Sequence, residues 1–234
     1  LGTTDDMEKA YDYAMEVIES GKFRPIQEEH ILVSGEQAKY RDILFTDEFI
    51  FGLYSAQVDA FYKSNFDESY GVKKILINKL SDIYGQGTRD LRQTHWFKTS
   101  WGTSYLLKHN ADLEYAKEKV RMITLAEMYY IAAECLLRKN DPKAADYFNA
   151  VLESRGLVAL DDRIPAESLT IEKITQERYK EFVGEGQTFF NMKRLNLDIQ
   201  AITGEILPAA NSIYTVPVPE EEFNYRNEVY DVKQ

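Results

Sequence analysis

The chain has 234 residues, of which 44% are hydrophobic and 29% charged, so it is long enough to fold as a globular domain around a buried core. Its 39 acidic and 28 basic residues give a formal net charge of −11, which would repel a phosphate backbone and makes nucleic acid an unexpected partner. A single cysteine, Cys135, excludes an intrachain disulfide.

The first predicted element is an amphipathic helix. Apolar residues recur at helical spacing between Asp5 and Ser20, and Gly21 follows as a stop signal. A helix with one apolar face needs a partner to cover that face. Because this helix lies at the start of the chain, we expect its covering helix in a longer precursor.

The region from residue 25 to residue 120 predicts mostly loops. Two apolar runs, at residues 43–45 and 49–51, fit either a strand or a buried helical turn, and their periodicity does not decide between them. The stretch from Asp82 to His109 is rich in turn formers and aromatic residues. It predicts loops with a possible hairpin that turns near Gly102.

The strongest pattern is a broad apolar stripe that begins at Arg121 and ends at Lys139, which predicts a long helix. Asp141 and Pro142 are then suited to open a second helix, which Gly156 would end. Within the resulting hairpin, small and aromatic residues stand at the spacings of the tetratricopeptide motif, namely Ala132, Ala144 and Phe148.

A third predicted helix is capped by Thr170 and carries Glu177, Glu181 and Glu185 on one partly apolar face. Paired carboxylates could serve a glycoside hydrolase, but such pairs usually face each other across a cleft from separate elements. Three carboxylates in line favour structural ion pairs instead. The expected network comprises Arg121, Glu127, Glu134, Glu177, Arg178, Glu181, Glu185 and Arg194.

Four segments resemble the SusD/RagB family, and the first two named below occur in the family's order. They are Arg121–Cys135 (RMITLAEMYYIAAEC), Glu177–Arg194 (ERYKEFVGEGQTFFNMKR), Asp90-Leu91-Arg92, and Val216-Pro217-Val218-Pro219 with Glu222 and Asn227. The chain departs from the family pattern at Thr188, Asn191 and Asn227, which puts individual ion pairs in doubt.

The resemblance implies a mainly α fold of tetratricopeptide-like helical hairpins with irregular loops and a few short strands. It implies one SusD-like C-terminal domain over residues 1–234: residues 1–24 would end a tetratricopeptide-like unit, residues 25–120 would be rich in loops, and residues 121–234 would form the helical scaffold. Family members are typically about twice as long, so the N-terminal half of a typical member is expected to be absent from this chain.

The resemblance also implies a function. The chain would be a non-enzymatic, cell-surface glycan-binding subunit that requires no cofactor and delivers its ligand to a SusC-like TonB-dependent transporter. It would be a lipoprotein of the outer membrane, anchored through an N-terminal cysteine that this chain does not contain.

Sugars bind to exposed aromatic rings beside hydrogen-bonding groups. The aromatic stretch from Asp82 to His109 therefore predicts a ligand surface formed by Tyr84, Trp96, Trp101 and Tyr105. The alternative is that one or both tryptophans fill the core beside Phe97.

Two other functions stay open. A tetratricopeptide-type adaptor would bind a peptide in its helical groove, but it predicts several tandem repeats where one complete hairpin is visible. A glycoside hydrolase would use carboxylates such as Glu181. The three histidines, His30, His95 and His109, are too scattered to suggest a metal site.

Overall fold

We analysed a computed structural model that describes residues 4–65, 80–85, 89–100, 103–109, 113–200, 205–215 and 219. The chain divides into two compact units, residues 1–186 and residues 187–234. Across the described ranges, helices predominate and the short strands form two-stranded sheets. The predicted mainly α class is confirmed.

The helices of the first unit are α1 (Thr4–Glu19), α2 (Glu28–Ile31), α3 (Val58–Asn65), α4 (Leu80–Tyr84), α5 (Leu91–Trp96), α6 (Leu125–Arg138), α7 (Ala144–Ser154) and α8 (Ile171–Glu181). Its strands are β1 (Phe49–Tyr54), β2 (Phe97–Ser100), β3 (Thr103–Leu106) and β4 (Lys119–Thr124). The second unit contains α9 (Gln187–Leu195), β5 (Ile199–Gln200), β6 (Ile206–Leu207) and α10 (Asn211–Tyr214).

A helical layer forms one side of the first unit, where α6 packs against both α1 and α7. The predicted α6–α7 hairpin is confirmed, and Ala132, Ala144 and Phe148 are all buried. The second helix begins two residues later than Pro142, because the Asp141 side chain accepts a hydrogen bond from the Lys143 backbone (2.9 Å) in a preceding turn.

The predicted start of α6 at Arg121 is wrong. Residues 119–124 form β4, which pairs antiparallel with β1, and α6 begins only at Leu125. β-Branched residues such as Val120 and Ile123 are well suited to a strand. In the register of this sheet, Arg121 lies opposite Gly52.

A second core lies beneath the irregular segments. Phe45 and Trp96 are fully buried there, with ring centres 5.0 Å apart. The first apolar run, residues 43–45, enters this core without regular structure, whereas the second, residues 49–51, is part of β1. The β-hairpin that the sequence predicts near Gly102 is confirmed, since β2 pairs antiparallel with β3 and Ser100 lies opposite Thr103.

The third predicted helix starts as expected and ends early. Thr170 caps α8 by accepting a hydrogen bond from the Lys173 backbone at 3.3 Å. The helix ends at Glu181, so the prediction that it extends to Glu185 is wrong. Gly184 causes the break: it has a φ of +76°, and a Cβ atom there would lie 2.5 Å from a methyl group of Leu106.

The second unit is small and rich in aromatic contacts. Phe189 on α9 has its ring centre 5.8 Å from that of Phe190 and 5.6 Å from that of Tyr214. Phe190 remains largely exposed. Among the helices that the structure describes, none combines the length and apolar character needed to span a membrane.

Candidate functional site

A large group of titratable side chains is buried inside the first unit. We call it the buried charge cluster, and it comprises Glu48, Asp90, Arg92, Lys108, Arg121, Arg155, Glu177, Glu181 and Glu185. Five carboxylates therefore face four cations. At the edge of the cluster, the Lys180 ammonium lies 2.5 Å from Glu177 and brings the charges into balance.

Glu181, at the end of α8, is the centre of this cluster. It has no exposed surface, and three guanidinium groups from three different elements surround its carboxylate. The contacts are Arg121 Nη2 to Oε1 (2.5 Å), Arg155 Nη2 to Oε1 (2.8 Å), Arg155 Nε to Oε2 (2.9 Å) and Arg92 Nη1 to Oε2 (3.3 Å). Burial would raise the pKa of Glu181, but Arg155 and Arg121 outweigh it and hold the pKa well below its ordinary value.

Arg92 and Arg155 extend the cluster towards other segments. Arg92 donates to Asp90 (2.6 Å) and to Glu177 (2.7 Å), while Asp90 also caps α5 by accepting from the Arg92 backbone. Arg155 follows α7 and makes a two-point contact with Glu48 at 2.6 and 2.8 Å. Bidentate pairs of this kind fix orientation as well as charge.

Lys108 and Glu185 close the far side of the cluster. The Lys108 ammonium lies 2.6 Å from the Glu185 carboxylate, donates to the Glu181 carbonyl at 2.6 Å, and sits 3.8 Å from the Trp96 ring centre. Burial lowers the pKa of Lys108 to about 8, against the opposing attraction of Glu185. Since Gly184 turns the chain, Glu185 reaches this position from the turn that follows α8.

The structure brings together four members of the predicted network, because Glu177, Glu181 and Glu185 lie in the same cluster as Arg121. The remaining predicted members lie elsewhere. Glu127 pairs with Arg178 (3.2 Å), Glu134 pairs with Arg138 (3.0 Å), and Arg194, in the second unit, donates to Asn191 (2.8 Å).

Sequence reasoning missed Glu48, Lys108 and Arg155 as members of this cluster. Each is a single charged residue at the end of an element or in a loop, without a repeating pattern. The sequence did point to Arg92, because this residue belongs to the Asp90-Leu91-Arg92 segment that resembles the SusD/RagB family. The only available sign for Arg155 was its position directly after the apolar stripe of α7.

The residues predicted to hold a ligand lie in different surroundings from those expected. Trp96 has no exposed surface and donates its indole N–H to the Ile43 carbonyl at 2.6 Å. Tyr84 and Tyr105 are also buried, and the Tyr84 hydroxyl donates to the Lys180 carbonyl at 3.0 Å. Trp96 therefore fills the core, as the alternative interpretation held.

Two other predicted features fall outside the described residues. They are Trp101 and, apart from Pro219, the closing segment at 216–219 with Glu222 and Asn227. Within the parts of the chain that are described, no group of three or more His, Cys, Asp or Glu side chains is arranged to hold a metal ion.

Comparison with known proteins identifies the fold. A family model described as the SusD family matches residues 55–231. A SusD superfamily protein from Bacteroides thetaiotaomicron is 22% identical with a TM-score of 0.71, and the match covers 94% of this chain and 55% of that one. No curated protein matches the chain.

Two further solved structures are similar. Surface glycan-binding protein A from Bacteroides thetaiotaomicron, in complex with laminarihexaose, is 19% identical with a TM-score of 0.60, over 94% of this chain and 58% of that one. A SusD-like carbohydrate binding protein from Bacteroides vulgatus is 20% identical with a TM-score of 0.59, over 83% of this chain and 43% of that one. The chain thus spans about half the length of these structures.

We expect Glu181→Gln to lower the free energy of unfolding by about 3–5 kcal/mol, because it leaves three buried guanidinium groups without their shared counter-charge. Chemical denaturation of both proteins measures the difference. Glu172→Gln, at an exposed position of the same helix, is the matched control and should cost less than about 1 kcal/mol. Equal losses in the two variants would contradict a special role for Glu181.

The partly buried His109 should make the fold sensitive to acid. Burial, aided by Lys108, lowers the pKa of His109 to about 4 from 6.5, so the folded state stays neutral where the unfolded chain takes up a proton. Stability contributed by the neutral ring is therefore lost as the pH falls from 6.5 to 4.

His109→Gln keeps an amide that can donate to the Gly184 carbonyl, which the ring contacts at 3.2 Å. Relative to wild type, the variant should gain up to about 3 kcal/mol between pH 6.5 and pH 4, at about 1.4 kcal/mol per pKa unit. Urea unfolding at several pH values measures this gain. A difference that stays constant over the range would count against the prediction.

Proposed function

The chain belongs to the SusD family, and we propose that it is a cell-surface glycan-binding subunit of a nutrient uptake system, which delivers its ligand to a SusC-like TonB-dependent transporter. The observation that carries the proposal is the family match over residues 55–231. The matched range includes every member of the buried charge cluster except Glu48. The similar structure solved with laminarihexaose supports a glycan as the ligand.

We propose that the chain binds glycans without cleaving them. A glycosidase needs an acid and a base or nucleophile that reach the sugar bond. The predicted candidates Glu177 and Glu181 are buried and both accept hydrogen bonds from Arg92. Carboxylates held in this way act as counter-charges for arginine, which supports a structural role.

The adaptor alternative has less support. Tandem tetratricopeptide repeats stack helical hairpins against one another. In the described residues, α6 and α7 form one such hairpin, and α1 packs on α6 as a single helix. The family match also extends well beyond this hairpin.

The proposal predicts saturable binding of the purified chain to at least one neutral glycan. Isothermal titration with laminarihexaose, cellohexaose and maltohexaose measures this binding, and a reducing-end assay on the same mixtures should show no new chain ends after long incubation. New reducing ends would indicate a hydrolase, and the absence of any binding would contradict the proposed function.

A location at the outer membrane beside a transporter is also part of the proposal. In the bacterium that produces this chain, a tagged version should fractionate with the outer membrane and copurify with a TonB-dependent transporter. Mass spectrometry of the purified complex identifies the partner. Recovery of the tagged protein in the cytoplasmic fraction alone would contradict this part.

A further inference from the structure

Two tyrosine rings stand exposed at one end of the β1–β4 sheet. Tyr54, the last residue of β1, is 74% exposed, and Tyr115, in the turn before β4, is 40% exposed. Lys119 lies opposite Tyr54 in the sheet register. Its ammonium is 5.4 Å from the centre of the Tyr115 ring. Lys119 is therefore paired with Tyr54 in the sheet and also lies beside the Tyr115 ring.

The backbone beneath these rings is tied to the rest of the first unit. Ser55 donates its backbone N–H to the Glu118 carbonyl at 2.8 Å, and Glu114 donates to the Lys39 carbonyl at 2.9 Å. Ala116, between these two contacts, is buried in the core. A surface that is ordered before binding loses less conformational entropy when a ligand arrives.

Hydrogen-bonding groups lie directly beside the rings. The neighbouring Glu118 carboxylate raises the pKa of the Tyr54 hydroxyl. The Lys119 ammonium provides further donors. This combination of aromatic faces and polar groups suits a sugar ring, which has an apolar C–H face and a hydroxyl edge.

We propose that Tyr54 and Tyr115 form a platform on which this chain holds an uncharged oligosaccharide, with Glu118 and Lys119 hydrogen-bonding to its hydroxyl groups. This inference rests on the proposed function and gives it a location and a ligand class. An uncharged glycan fits because the net charge of −11 repels polyanions such as uronic acid polymers. The exposure of the two rings contrasts with the complete burial of Trp96.

Isothermal titration of the full chain with laminarihexaose, cellohexaose, maltohexaose and a polygalacturonate oligomer tests the platform. The wild type should bind at least one neutral hexaose and not the polyanion. Tyr54→Ala and Tyr115→Ala should each weaken binding about tenfold or more, because each removes one stacking face. Tyr54→Phe, which keeps the ring, should stay within about threefold of wild type.

Tyr13→Ala is the matched control, since Tyr13 is 68% exposed on α1. It should bind as wild type does. Because all three tyrosines are exposed, thermal unfolding should be nearly unchanged in every variant. Wild-type affinity in Tyr54→Ala and Tyr115→Ala would overturn the platform and leave the proposed function standing, whereas a wild type that binds none of the hexaoses would overturn both. Preferential binding of the polygalacturonate oligomer would overturn the uncharged ligand class.

Discussion

The fold of the first unit depends on neutralising one buried carboxylate. Glu181 has no exposed surface, and its charge is balanced by arginines that come from α5, from β4 and from the end of α7. Moving such a charge out of water is costly unless its partners are in place. The positions of α5, β4 and α7 are therefore linked to one another through a single side chain of α8.

This constraint separates the residues that identify the family from those that would meet a ligand. The segments that resemble the family include Arg92, Arg121 and Glu181, and all three are buried. Each of these three side chains forms ion pairs inside the protein. An exposed surface such as that of Tyr54 and Tyr115 has no comparable internal partners to satisfy. Such surfaces can change between relatives that share one scaffold.

Regular periodicity explains which parts of the fold were predictable. α1, the α6–α7 hairpin and the start of α8 follow from apolar spacing and capping residues, because these signals are local. The strand at residues 119–124 was misjudged because its pairing partners in β1 stand 65 to 75 positions earlier in the chain. The early end of α8 was missed because Gly184 is required by a contact with Leu106 that only the folded structure contains.

The candidate site was harder to predict than the fold. A tryptophan in a polar, glycine-containing stretch suggested an exposed ring, but the burial of Trp96 depends on Lys108 and Ile43, which are distant or unpatterned in sequence. The predicted network included Arg121, Arg178 and Arg194 but omitted Arg155, which contacts Glu181 in the structure. Ion pairs across a core follow tertiary packing, which single-sequence patterns do not encode.

The wide sequence separation of the charge cluster bears on the order of folding. The α6–α7 hairpin joins neighbouring segments, whereas the cluster unites Glu48 with Arg155 and Glu181 across more than 100 residues. Long-range contacts carry a large entropic cost of loop closure, so we expect the hairpin to form early and the cluster to close late. Interactions that form after the transition state slow unfolding more than they speed folding. Late closure would make the cluster a kinetic barrier that keeps the assembled protein from opening.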